Sequence, residues 1–203
     1  MLKKIALFSL AVGLLIIGYA GLQLWDIKQS ERQAVAEAKE FLNKIQGNDD
    51  SEAVIPITTK TDLDASPLEL VFHKGETIGI LQIPLINKEL AIVQGTDEDS
   101  LKQGVGHFTG TVYPGQKDQI LLSGHRDTVF TGLDKLQKGD KIIVKMQHGT
   151  FTYVVVGTEI VDEGDTTVIR STAPDELLTL STCYPFRYIG NAPKRYIVYA
   201  EPE

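Results

Sequence analysis

Residues 5–25, IALFSLAVGLLIIGYAGLQLW, run for 21 positions without a charge. As a helix that is enough to cross a hydrocarbon core of about 30 Å. No other feature constrains the chain as strongly, because whatever follows must fold beyond a membrane that this segment enters. A cleaved export signal is the competing reading, but its apolar region is usually only about 7–15 residues. The length favours a retained anchor. Lys3 and Lys4 precede the stretch with no acid beside them, while Tyr19 and Trp25 stand where an outer interfacial belt would lie. Lys28 and Arg32 make the charge bias modest. The expectation is a single-pass cell-membrane protein with its N-terminus inside and its body extracellular.

The net charge is −7, and residues 1–25 hold two lysines and no acid, so the body is more acidic still. An acidic body without a basic cluster argues against a nucleic-acid partner. After the apolar stretch, IKQSERQAVAEAKEFLNKIQG reads as helix. Val35, Ala38, Phe41, Leu42 and Ile45 share a stripe, Glu40 and Lys44 form an i,i+4 pair, and Gly47 ends the run. The polar segment NDDSEAVIPITTKTDLDASP, broken by two prolines, reads as a linker. The organisation expected is an anchor over 1–25, a helical and polar spacer over 26–67 holding the body away from the bilayer, and a folded body over 68–203.

The body is dominated by short strands. TIGILQIP and KELAIVQG are β-rich and closely spaced, QILLSGH is a short apolar strand, and ELLTLSTC and RYIVYAE follow later. DKIIVKM and TFTYVVVGTEIV flank the turn QHGT as a hairpin. TDEDSLKQG reads as a short helix that Thr96 or Asp97 can cap and Gly104 can stop. Some eight short strands with little helix predict a mostly β fold, a closed antiparallel or mixed barrel.

Cys183 is the only cysteine. An unpaired thiol in an exported protein is a buried hydrophobe, an intermolecular link or a nucleophile. A nucleophilic thiol needs a base or cation beside it. Of four histidines, His73 in VFHKGE and His148 in MQHGT read as solvated turn residues. His125, at the end of QILLSGH, and His107, in the glycine-rich GVGHFTGT read as a loop, both remain candidates. Spacing favours His125, since sites carried on strands are more precise than sites on loops. Arg195 heads the strand after the Cys183 loop, where its planar fork of donors suits an oxyanion or a substrate carbonyl. A surface arginine at a strand end is the plainer alternative.

The TLSTC segment ending at Cys183, Arg195 at the start of the next strand, and SGH upstream together resemble the sortase family over about residues 77–200. Those are membrane-anchored cysteine transpeptidases of Gram-positive bacteria with an eight-stranded barrel. GVGHFTGTVYPGQKDQILLSGHRDTVF is most similar to the class D branch, with Val105 where proline is common. The resemblance implies that Cys183 attacks the threonine carbonyl of an LPxT-type sorting signal, that His125 protonates the departing amine, and that Arg195 steadies the oxyanion. Ser181, Thr182 and Tyr184, beside the nucleophile, are then the expected substrate contacts. Partners would be surface proteins bearing the signal and an amine of the peptidoglycan precursor, with hydrolysis as a side reaction of this thiol-protease-like chemistry.

No metal cluster or cofactor motif is legible, and none is expected. Some sortases bind calcium through acidic loops, and VDEGD offers Asp162, Glu163 and Asp165, but a hard cation wants about six to eight oxygens. Two readings compete. An L,D-transpeptidase-like peptidoglycan cross-linker expects a Ser-His-Gly-Cys segment, which LSTCYPFR does not supply. A non-catalytic membrane-tethered β-domain leaves Cys183, His125 and Arg195 as coincidence.

Overall fold

The structure is a computed structural model that describes residues 2–46, 70–188 and 190–203. Helix α1 spans Leu2–Gln46. Between Leu10 and Trp25, Leu14, Leu15, Ile16, Ile17, Tyr19 and Leu22 stand more than half exposed. Among the described residues no helix is long and apolar enough to cross a membrane. Part of the expected span, the side chains of residues 5–9, 11, 23 and 24, lies outside them. The expected linker over 48–67 also lies outside the described residues.

The C-terminal half of α1 departs from the expected stand-off. It packs on the barrel, with Ala34 and Ala38 buried and Lys39 donating to Glu89 at 2.7 Å. The small alanine faces one helical turn apart let the helix lie close against the sheet, so the stripe is centred on Ala34 and Ala38. Val35 and Leu42 flank it half-buried.

The body is a closed eight-stranded barrel, as the short-strand pattern predicts. The strands are β1 (Thr77–Ile83), β2 (Lys88–Gln94), β3 (Val105–His107), β4 (Gln119–Ser123), β5 (Lys141–Met146), β6 (Gly149–Asp162), β7 (Leu177–Tyr184) and β8 (Lys194–Pro202). Their order around the barrel is β1-β2-β3-β4-β7-β8-β6-β5, with β5 returning to β1. Two neighbouring pairs, β2–β3 and β4–β7, are parallel, and the rest are antiparallel. Parallel neighbours need a crossover. Helix α2 (Glu98–Gln103) supplies the first, and the β5–β6 hairpin lies in the second. Asp97 caps α2 by accepting from the Ser100 amide, with Gly104 at its end.

The alternation in β5 shows how the pattern becomes a core. Ile142, Val144 and Met146 point inward, and Lys141 and Lys145 stay outside. With Leu81, Ile92, Ile120, Phe130, Tyr153, Leu178 and Val198 they form one contiguous cluster.

Strand β3 is the element missing from the sequence reading, which placed His107 in a loop. Three residues are too few for a period to show. Gly106 lets the strand form, since a Cβ there would lie 2.3 Å from the carbonyl oxygen of Gly95.

Candidate active site

Strands β7 and β8 pair so that Cys183 lies directly opposite Arg195. Opposed residues of an antiparallel pair share a face, with Cβ atoms about 4.5–5.5 Å apart. On the other side of β7 runs β4, parallel and in register from Gln119 opposite Leu177 to Ser123 opposite Ser181. Continuing that register by two residues brings His125 level with Cys183. The extension is bonded: the Gly124 amide donates to the Ser181 carbonyl at 3.1 Å, and the Thr182 hydroxyl donates to the Gly124 carbonyl at 2.7 Å.

His125 therefore sits two residues beyond its strand, in a tight turn whose Phe130 amide donates back to the His125 carbonyl at 2.9 Å. Gly124 makes the turn possible. A Cβ at that position would meet Val129 at 2.6 Å and the Phe130 ring at 2.8 Å.

His125, Cys183 and Arg195 line one cleft of about 390 Å³ together with Arg126, Asp127, Glu163, Gly190, Asn191 and Ala192. Cys183 is a free, half-buried thiol. Arg195 is held by its Nη1, which donates to the carbonyls of Ala192 at 3.1 Å and Lys194 at 3.0 Å. Glu163 stands 3.9 Å from the same nitrogen. A thiol, an imidazole and a guanidinium on one open cleft can perform acyl transfer, the thiol as nucleophile, the imidazole as proton carrier and the guanidinium as oxyanion donor.

The other histidines lie elsewhere. His107 is buried, with Nδ1 3.0 Å from Gln94 Oε1, Nε2 3.0 Å from the Val112 carbonyl, and its ring stacked on Tyr113 at 4.6 Å. Burial pulls its pKa below the ordinary histidine range. His148 is half-buried rather than solvated, because its Nε2 donates to the Pro114 carbonyl at 2.8 Å. His73 is exposed.

None of the three expected substrate contacts is among the cleft-lining residues. Thr182 is buried, and its hydroxyl is committed to Gly124, so it positions the His125 turn. Tyr184 packs against Phe186 and Tyr196. Ser181 is half-exposed and shares the Cys183 face of β7.

The three acids of the VDEGD turn are not gathered. Asp162 pairs with Lys194 at 3.0 Å, Asp165 accepts from the Thr167 amide and hydroxyl, and Glu163 faces Arg195. Bonding to Thr167 holds the Asp165 pKa below the usual carboxylate range.

Sequence reasoning gave no role to Arg126 or to the Gly190–Ala192 stretch of the cleft wall. The signal for Arg126 was its place directly after His125 in the GHR segment that resembles the class D branch.

A family model of the sortase domain matches residues 81–203. Sortase D of Bacillus subtilis is 46% identical over 203 residues, covering 99% of this chain and 98% of that protein. The chain belongs to the sortase family, whose members are transpeptidases. A Clostridium perfringens sortase D5 transpeptidase shares the fold at TM-score 0.66 and 24% identity, over 86% of this chain and 99% of its own. Another structure, a C. perfringens sortase C with the C-terminal cell wall sorting motif, is similar at TM-score 0.61 and 27% identity, over 88% and 89%.

Proposed function

We propose that this chain is a membrane-anchored cysteine transpeptidase that cuts an LPxT-type sorting signal after threonine and joins the acyl group to a cell-wall amine. The observation that carries this reading is the cross-strand pairing of Cys183 with Arg195 at a cleft that His125 also lines. The sorting motif seen with the C. perfringens relative supports the substrate class. The exposed apolar side chains between Leu10 and Trp25 support the anchor, and Lys3 and Lys4 ahead of the apolar stretch support an N-terminus inside and a barrel outside.

In this mechanism the Cys183 thiolate attacks the threonine carbonyl carbon. Arg195, with Nη1 held by Ala192 and Lys194, offers Nη2 and Nε to the oxyanion. As the intermediate collapses, the scissile C–N bond breaks, and His125 gives its proton to the departing amine. The acceptor amine then attacks the thioester, passing a proton to His125, and Cys183 leaves as thiolate. Water in the acceptor's place gives hydrolysis. Ser181, on the Cys183 face, contacts the bound peptide, and no metal or cofactor is needed for these steps.

The test is incubation of the full-length protein in detergent with an LPxTX peptide library and a glycine-based amine. Products cut after threonine, together with an acyl adduct on Cys183 by mass spectrometry, are expected. Failure to cut any such peptide while Cys183 alkylates readily would rule the reading out.

A further inference from the structure

We propose that Arg126 is a positioning residue that ties the β7–β8 loop to the His125 turn, and through that loop sets where Arg195 stands opposite Cys183. This rests on the acyl-transfer reading above.

Two arginines hold the middle and C-terminal part of the loop between Cys183 and Arg195. Arg126 Nη2 donates to the carbonyl of Tyr188 at 2.7 Å and to that of Gly190 at 3.1 Å. Arg195 Nη1 donates to the carbonyl of Ala192 at 3.1 Å. The guanidinium of Arg126 also lies over the Tyr188 ring, 6.0 Å from its centroid, adding a cation–π contact. Arg126, Gly190, Ala192 and Arg195 all line the cleft.

The linkage follows from the chain. The Ala192 carbonyl that steadies Arg195 sits two residues after the Gly190 carbonyl that Arg126 holds. Gly190 takes φ +98°, a left-handed conformation that glycine adopts without strain, so the loop is free to choose other paths unless fastened. Charge-assisted bonds to backbone carbonyls are the stronger kind of hydrogen bond. The two loop bonds and the ring contact together hold the Arg126 side chain in place. Arg126 also follows His125 directly in the chain, so one tether couples the imidazole turn to the guanidinium side of the cleft.

The experiment uses the full-length protein in detergent and two readings. The first is trypsin cutting after Arg187, which is exposed in the tethered loop. Arg126→Met, which keeps the apolar stem but removes every donor, is expected to speed that cut by about fivefold or more, with Tm changed by only a few degrees. The second is a double-mutant cycle on peptide cleavage. Arg126→Met is expected to lower kcat about tenfold in the wild-type background but less than about twofold in an Arg195→Lys background, because a residue that acts through Arg195 couples to it. Unchanged trypsin cutting, or equal losses in both backgrounds, would overturn the proposal. If Arg126→Met does not fold, Arg126→Lys, which retains a donor, carries both readings with smaller shifts in the same direction. Absence of peptide cleavage by the wild type would sink the acyl-transfer reading alone, since the trypsin arm reads the tether without substrate.

Discussion

Cys183 and Arg195 are directly opposed on β7 and β8, and the Arg195 guanidinium is fixed there by the carbonyls of Ala192 and Lys194. Geometry of this kind predicts that charge alone will not substitute. Arg195→Lys keeps the charge and loses the planar fork, so turnover of an LPxT peptide is expected to fall about a hundredfold or more, the scale of losing an oxyanion donor. Cys183→Ala is expected to abolish the acyl adduct, because Ser181 and Thr182 have no base assigned to them. A mild loss on Arg195→Lys would assign Arg195 a role through charge.

The two histidines should separate by what they affect. His125→Ala is expected to nearly abolish turnover, since the departing amine loses its proton donor. His107→Ala is expected to cost stability, about 1–3 kcal/mol for breaking buried hydrogen bonds, with much less effect on turnover per folded molecule. Burial lowers the folded-state pKa of His107. The unfolded chain therefore binds the proton first, and this contribution to stability is present above about pH 6.5 and is lost as pH falls below it. Urea midpoints between pH 7 and pH 5 should drop less steeply in His107→Gln than in wild type. Reversal of the two turnover results would reassign the catalytic base.

Thr182 is a second positioning residue. Its hydroxyl donates to the Gly124 carbonyl, one residue before His125. Thr182→Val leaves that buried carbonyl unpaired at a cost of about 1–3 kcal/mol and loosens the turn. Turnover is expected to fall about tenfold, a scale consistent with the sensitivity of catalysis to small misplacements, and Thr182→Ser, which restores the donor, should recover most of it. Equal activity of the Val and Ser variants in steady-state kinetics would show that the hydroxyl does not set the turn.

Membrane orientation is checked on intact cells. Protease added outside is expected to digest the barrel while residues before Asp26 stay protected. Survival of the barrel in intact cells with digestion after lysis would reverse the proposed topology.

Calcium is expected to leave turnover unchanged, as is a chelator. The turn acids are engaged separately, with Lys194, Thr167 and Arg195, and are too few for a cation that takes about six to eight oxygens. A severalfold rise with added calcium, reversed by chelation, would show that these groups rearrange around an ion.

Local pattern was enough to find most of the barrel. The alternation in residues 141–146 and the apolar runs at 77–83, 119–123 and 177–184 carry their strand character in any short window, and Asp97 and Gly104 announce the ends of α2. The sequence by itself also singled out Cys183, Arg195 and His125, through residue type and the motif around each. It chose between the histidines on a local argument that the fold inverts, since His107 lies on a strand and His125 in a turn. What separates them is burial and bonding, to Gln94 opposite it on the neighbouring strand β2 and to Val112 in the connection that follows β3, which depend on β3 pairing with β2. Only the tertiary structure decided the parallel register of β4 on β7, the commitment of Thr182 to Gly124, the docking of α1 through Ala34 and Ala38, and the hold of Arg126 on the β7–β8 loop. Each joins groups far apart in the chain through a hydrogen bond or a close fit. A periodicity read along a single segment reports which face is apolar, but it cannot report which distant atom that face will meet.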